Sequence, residues 1–141
     1  MPLPVLTQKI VNASLRPETG WSLLELKDIR SQKAKEKESI NYFFDFECLS
    51  GPDGSQKNQG RSITLMINGG GLASGIPEVC NIYNQALCAL LNTTYDNVVG
   101  KEVKDDHLIG KTMWCKFDYR TVEGNLYPDF KAIQPSNEIP F

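Results

Sequence analysis

Histidine is almost missing from this chain: His107 is the only one in 141 residues. That excludes a histidine-based metal site and a Ser-His catalytic pair, because either would need a partner that is not there. The four cysteines (Cys48, Cys80, Cys88, Cys115) show neither CxxC nor any short metal-ligand spacing. Each falls in an otherwise apolar pattern, which predicts reduced, small core residues of a cytoplasmic protein. No apolar stretch is long enough to span a membrane, and no apolar run follows a basic start as in a signal peptide. Charge of one sign is also scarce, with 15 Lys and Arg against 17 Asp and Glu. A net charge of −2 excludes a binder that is basic all over. It leaves nucleic acid open, since binding depends on where the charge sits.

The charge is unevenly placed. Lys27, Arg30, Lys33, Lys35 and Lys37 face only Asp28 and Glu36 across residues 27–37. Residues 78–110 hold Glu78, Asp96, Glu102, Asp105 and Asp106 against Lys101 and Lys104. The length suits one domain with a proper core.

Alternation of apolar and polar residues predicts most of the architecture. Residues 21–30 form a first strand whose run of apolar positions at 23–26 implies a bulge or two-sided burial. Residues 40–49 form the clearest strand: Ile40, Tyr42, Phe44, Phe46 and Cys48 share one parity, and Phe43 is the aromatic exception on the other. Gly51-Pro52-Asp53-Gly54 has turn chemistry. Residues 61–68 alternate again, with Ile63, Leu65 and Ile67 inward and Thr64 and Met66 outward. Gly69-Gly70-Gly71 reads as a flexible exit from that strand, since no Gly-Lys-Ser/Thr follows to make a phosphate loop.

One helix is expected over residues 77–91, opened by Pro77 and Glu78 and carrying an apolar stripe through Val79, Ile82, Tyr83, Ala86, Leu87, Leu90 and Leu91. Residues 95–110 have no firm pattern, and no internal repeat stands out. Residues 111–121 form a strand with Met113, Cys115, Phe117 and Tyr119 inward. Glu123-Gly124-Asn125 turns it into a last strand over residues 126–133. Residues 1–19 read as an arm, 20–134 as the folded domain and 135–141 as a tail.

Five strands with the long helix between the third and fourth have the element order of an OB-fold, a partly open Greek-key barrel that binds oligonucleotides. Three dipeptides recur where phage-encoded single-stranded-DNA-binding proteins of that class carry them: Gly20-Trp21, Gly60-Arg61 and Gly110-Lys111. The tail, Asn137-Glu138-Ile139-Pro140-Phe141, resembles the tip of bacterial-type single-stranded-DNA-binding proteins, with Glu138 in place of the family's run of Asp. The resemblance covers residues 20–141. It implies a non-catalytic, cytoplasmic protein of replication, recombination and repair, phage-borne in a bacterial host, that coats single-stranded DNA and needs no cofactor. It further implies that Glu138, Ile139, Pro140 and Phe141 dock partner proteins. An apolar ring beside a negative charge suits a small pocket rimmed by bases.

The residues themselves supply candidates for the DNA groove. Opposite the core parity of the fourth strand stand Trp114, Lys116 and Arg120, an indole to stack a base and cations to neutralise phosphates. The competing reading packs Trp114 under the arm or into a subunit interface. Phe43 is a second stacking candidate with the same alternative. Lys33, Lys35 and Lys37 lie in the connector between strands one and two, where an OB loop closes over ligand; they equally describe a solvated hairpin tip. Arg61, Tyr127 and Lys131 are lesser candidates. An edge strand with Phe43 could also make a homo-oligomer. Asp105-Asp106 beside His107 reads as a solvated charge run, not a cation site. The alternative function is an OB-like protein–protein interaction module, such as a recombination accessory or a viral inhibitor of a host protein, with the outward aromatics as its interface.

Overall fold

The computed structural model describes residue 3, residues 16–33 and residues 39–140. Strands β1 (Gly20–Lys33), β2 (Ile40–Ser50) and β3 (Ser62–Asn68) form a meander. A short helix α1 (Gly69–Ala73) and the long helix α2 (Pro77–Leu91) follow. Strands β4 (Thr112–Val122) and β5 (Asn125–Pro135) then make a hairpin. All pairings are antiparallel, and the strand order β3-β2-β1-β4-β5 places β4 against the free edge of β1. The five strands and the single long helix match the expectation, and α2 has the expected limits.

β3 and β5 are the two edges of the sheet, and no strand pairing joins them among the described residues. α2 lies across that gap, packing on β3, β4 and β5. It buries Ala86, Leu87, Ala89 and Leu90. They meet Leu24, Leu26, Phe44, Phe46, Leu65, Ile67, Met113 and Phe117 in one core. α2 ends on Asn92, whose φ of 51° is the left-handed conformation that asparagine tolerates better than most residues. In β1 the register shifts between Leu23 and Leu24 and again between Leu26 and Asp28, so the broken alternation does mark a bulged strand.

Two expectations need correction. Gly69-Gly70-Gly71 is not a flexible exit. Asn68 caps α1 by accepting a hydrogen bond from the Gly71 amide at 2.9 Å, and the Gly69 backbone presses on β2. A Cβ at Gly69 would stand 1.8 Å from the carbonyl oxygen of Ile40, so only glycine fits there. Residues 95–110 contain a repeat of one short turn. Tyr95-Asp-Asn-Val98-Val-Gly100-Lys and Asp105-Asp-His-Leu108-Ile-Gly110-Lys each make a 3₁₀ turn, bury Val98 or Leu108, and exit through a glycine at φ 71° or 89°. Seven residues are too few to stand out as a structural repeat in sequence. The described part of the arm, residues 16–18, packs against the domain. Pro17 is buried, the carbonyl oxygen of Pro17 accepts from Tyr119 Oη at 2.5 Å, and Glu18 and Asn58 exchange two hydrogen bonds.

The cysteines divide in two. Cys48 and Cys115 are buried in the core, whereas Cys80 and Cys88 lie half-buried on α2, and all four are free thiols. Burial pushes the Cys48 thiol up to about 12 and raises that of Cys115 still further. Burial raises the half-buried Cys88 thiol as well. Since only the thiolate reacts, a maleimide or iodoacetamide pulse at pH 8 should label Cys80 and, more slowly, Cys88, and leave Cys48 and Cys115 unmodified until the protein is denatured. Mass spectrometry of peptides after a timed quench would check this; labelling of Cys48 in the native protein contradicts it.

Candidate nucleic-acid interface

The gap between β3 and β5 opens outward as a cleft of about 690 Å³. One wall is the outer face of β2 and β3, with Phe43, Thr64 and Met66. Opposite it stand Arg120 and the first half of β5, including Tyr127 and Lys131. The exposed side of α2 supplies Glu78, Asn81 and Gln85. Phe43, Arg120, Tyr127 and Lys131 come from three strands that sequence cannot place side by side, yet they share this cleft. They are four of the ten candidates for DNA contact.

Phe43 is braced by a neighbour. Its cross-strand partner Arg30, which does not line the cleft, sets the guanidinium carbon 5.2 Å from the ring centroid. Asp45 fixes that guanidinium through two hydrogen bonds of 2.6 and 2.9 Å, and Thr64 Oγ1 donates to the same carboxylate at 2.7 Å. The Arg30 hydrogen bonds hold the Asp45 carboxyl below its ordinary value; burial opposes this and Thr64 adds to it. Arg30 thus serves as a support for the ring, a role no local sequence pattern announces. The signal was available only as an Arg–Asp pair on neighbouring strands whose register had first to be known.

The remaining candidates lie elsewhere. Trp114 does point to the face opposite the core, but only 4% of its surface is exposed. β5 runs on to Pro135 and the chain then turns, with the Glu138 amide bonded to the Pro135 carbonyl. The turn lies over the indole, whose Nε1 donates to the Ser136 carbonyl at 3.1 Å. Trp114 therefore cannot stack a base in this structure. A strand's parity assigns a face but says nothing of what covers it. Lys116 is exposed on the same face, between Trp21 and Ala132 and outside the cleft. Arg61 is half-buried, is not among the residues that line the cleft, and donates to the Arg16 carbonyl at 3.3 Å. Lys33 is exposed at the end of β1; Lys35 and Lys37 lie outside the described residues.

The described part of the tail turns back on the domain. Pro140 is buried, whereas Glu138 and Ile139 are exposed, and Phe141 lies outside the described residues. The turn at 136–138 draws the chain back over the sheet, and two prolines favour such a bend as readily as an extended exit.

The electrostatics of the cleft are close to balanced. Its lining sets Arg120 and Lys131 against Glu78 and Asp129, with Lys131 paired to Asp129 at 2.7 Å. Arg120 is the one cation among the described lining residues with no carboxylate within ion-pair distance. Among the described residues no group of three potential metal ligands gathers, and no helix is long and apolar enough to cross a membrane. No family model matches this chain, and no curated protein matches it either.

Proposed function

We propose that this is a non-catalytic, OB-type protein that binds single-stranded DNA with little sequence preference and recruits replication or recombination partners through residues 138–141. The observation that carries the reading is the cleft, where Phe43 and Tyr127 flank the gap between β3 and β5. Two aromatic rings on either side of an open groove suit unpaired bases, because every base has a face to stack and stacking needs no particular sequence. The strand order, with β4 on the far edge of β1 and α2 under the gap, supports the OB assignment. Exposure of Glu138 and Ile139 supports the docking role, as both remain free to meet a partner.

A titration of fluorescent oligo-dT against duplex of equal length tests the reading. Single strand should bind better, because duplex bases cannot reach the rings. Phe43→Ala or Tyr127→Ala should each weaken single-strand binding by about 1–3 kcal/mol. Equal affinity for duplex and single strand, or two silent variants, refutes it. The balanced charge of the cleft favours one rival, a protein–protein interaction module. Its signature would be no DNA binding at all.

A further inference from the structure

The cleft's charge and its amides bear on which part of a nucleic acid it holds; the inference rests on the reading just given. A groove that grips phosphates needs unpaired cations, since each neutralised phosphate releases counterions. Here Lys131 is paired with Asp129 and Glu78 would repel a phosphate outright, which leaves Arg120 as the one unpaired cation among the described lining residues. In their place the lining offers neutral groups. Asn81 and Gln85 are exposed on α2, four residues apart, so they stand one turn above the other on the same side of the helix. Each side-chain amide carries a donor and an acceptor, the pairing that the edge of an unpaired base presents. No described hydrogen bond occupies the side chain of either residue. A volume of about 690 Å³ falls in the range of small-ligand sites, about 300–1,000 Å³, which suits a few ring systems and not a long run of backbone.

We propose that the cleft takes the bases themselves and leaves the phosphates to solvent, save for one that Arg120 can meet, with Phe43 and Tyr127 stacking on base faces and Asn81 and Gln85 hydrogen-bonding base edges. α2 is then part of the binding surface as well as the plug of the gap. Asn81 and Gln85 set whatever preference the protein shows among bases.

The test compares oligo-dT with an abasic strand of tetrahydrofuran nucleotides, equal in length and charge, by fluorescence anisotropy on the full chain. The abasic strand should bind about tenfold more weakly or worse, as the loss of stacked bases requires. Equal binding of the two strands overturns the inference while leaving single-strand binding intact. Failure to bind any single strand overturns the reading beneath it as well. A second arm measures homopolymers of dT, dC and dA against wild type and the Asn81→Ala/Gln85→Ala double variant. Wild type should rank them with differences of several-fold, and the variant should bring the ratios towards one. Ratios that survive the double substitution, or a wild type with none, remove Asn81 and Gln85 from the binding surface. Both side chains are exposed, so the variant should fold, and circular dichroism confirms that before binding is read.

Discussion

Trp114→Ala should unfold this protein more readily by about 3–5 kcal/mol, the usual cost of removing a buried Trp. Strand parity suggests a DNA contact at Trp114, but its burial puts the expected effect on stability. The indole is almost wholly enclosed between Leu23 of β1, Gln134 of β5 and the turn at 136–138. Truncation leaves a cavity on the outer face of the sheet and an unpaired carbonyl at Ser136. For a domain of 141 residues the melting temperature should fall by roughly 10 °C or more. At a temperature where the variant is folded, its affinity for oligo-dT should match wild type. Trp114→Phe separates the terms, since it keeps a ring but drops the Nε1 donor, a net loss of about 1 kcal/mol for the hydrogen bond alone. A variant with unchanged melting temperature and abolished DNA binding would mean that the tail stands clear in solution and the indole is a stacking platform after all.

Gly69→Ala is the second large effect. The added methyl would stand 1.8 Å from a backbone oxygen of β2, a distance no side-chain rotation can relieve. Either α1 lifts from Ile40 or the β1–β2 hairpin bends. Overpacking of this kind costs about 1–3 kcal/mol, and the obstruction being main chain puts it at the upper end or beyond. By contrast, Gly54→Ala meets nothing within 4 Å and is strained only by a φ of 81°, so it serves as the milder control. Chemical denaturation of the two variants beside wild type would rank them. A Gly69→Ala protein as stable as wild type would show that the contact with Ile40 is not kept in solution.

The strands and α2 were legible because each depends on local periodicity. Ile40–Cys48 and Met113–Tyr119 alternate cleanly, and the crowded apolar run at 23–26 announced its own bulge. What could not be read was anything fixed by two distant segments. Gly69 is a glycine because of Ile40, and Arg30 is a support because Asp45 stands beside it on β2. Trp114 is hidden because the chain returns over it after β5. Each condition is invisible until the register is known. Of the cleft, Phe43 and Arg120 stand out in sequence because each breaks the core parity of its strand, while Tyr127 and Lys131 offer only their residue type and a place on the last strand. Asn81 and Gln85 carry no such signal, since neutral amides on the polar side of a helix look like ordinary solvated surface.

The place of β1 in the sheet also governs when the protein can finish folding as it is made. One edge of β1 pairs with β2, which is complete at Ser50, but the other waits for β4, where Gly20 meets Phe117. At translation rates of roughly 5–20 residues per second, the first three strands emerge several seconds before that partner exists. Throughout this interval Leu24 and Leu26 belong to a strand with one open edge, and the meander has only α2 to shield its apolar face. Completion comes late and over a long span of sequence: Tyr119 must travel back to the Pro17 carbonyl, 102 residues away. Such long-range closure makes for slow folding, so a ribosome-stalled chain ending near residue 100 should be far more sensitive to protease than one that has released β4.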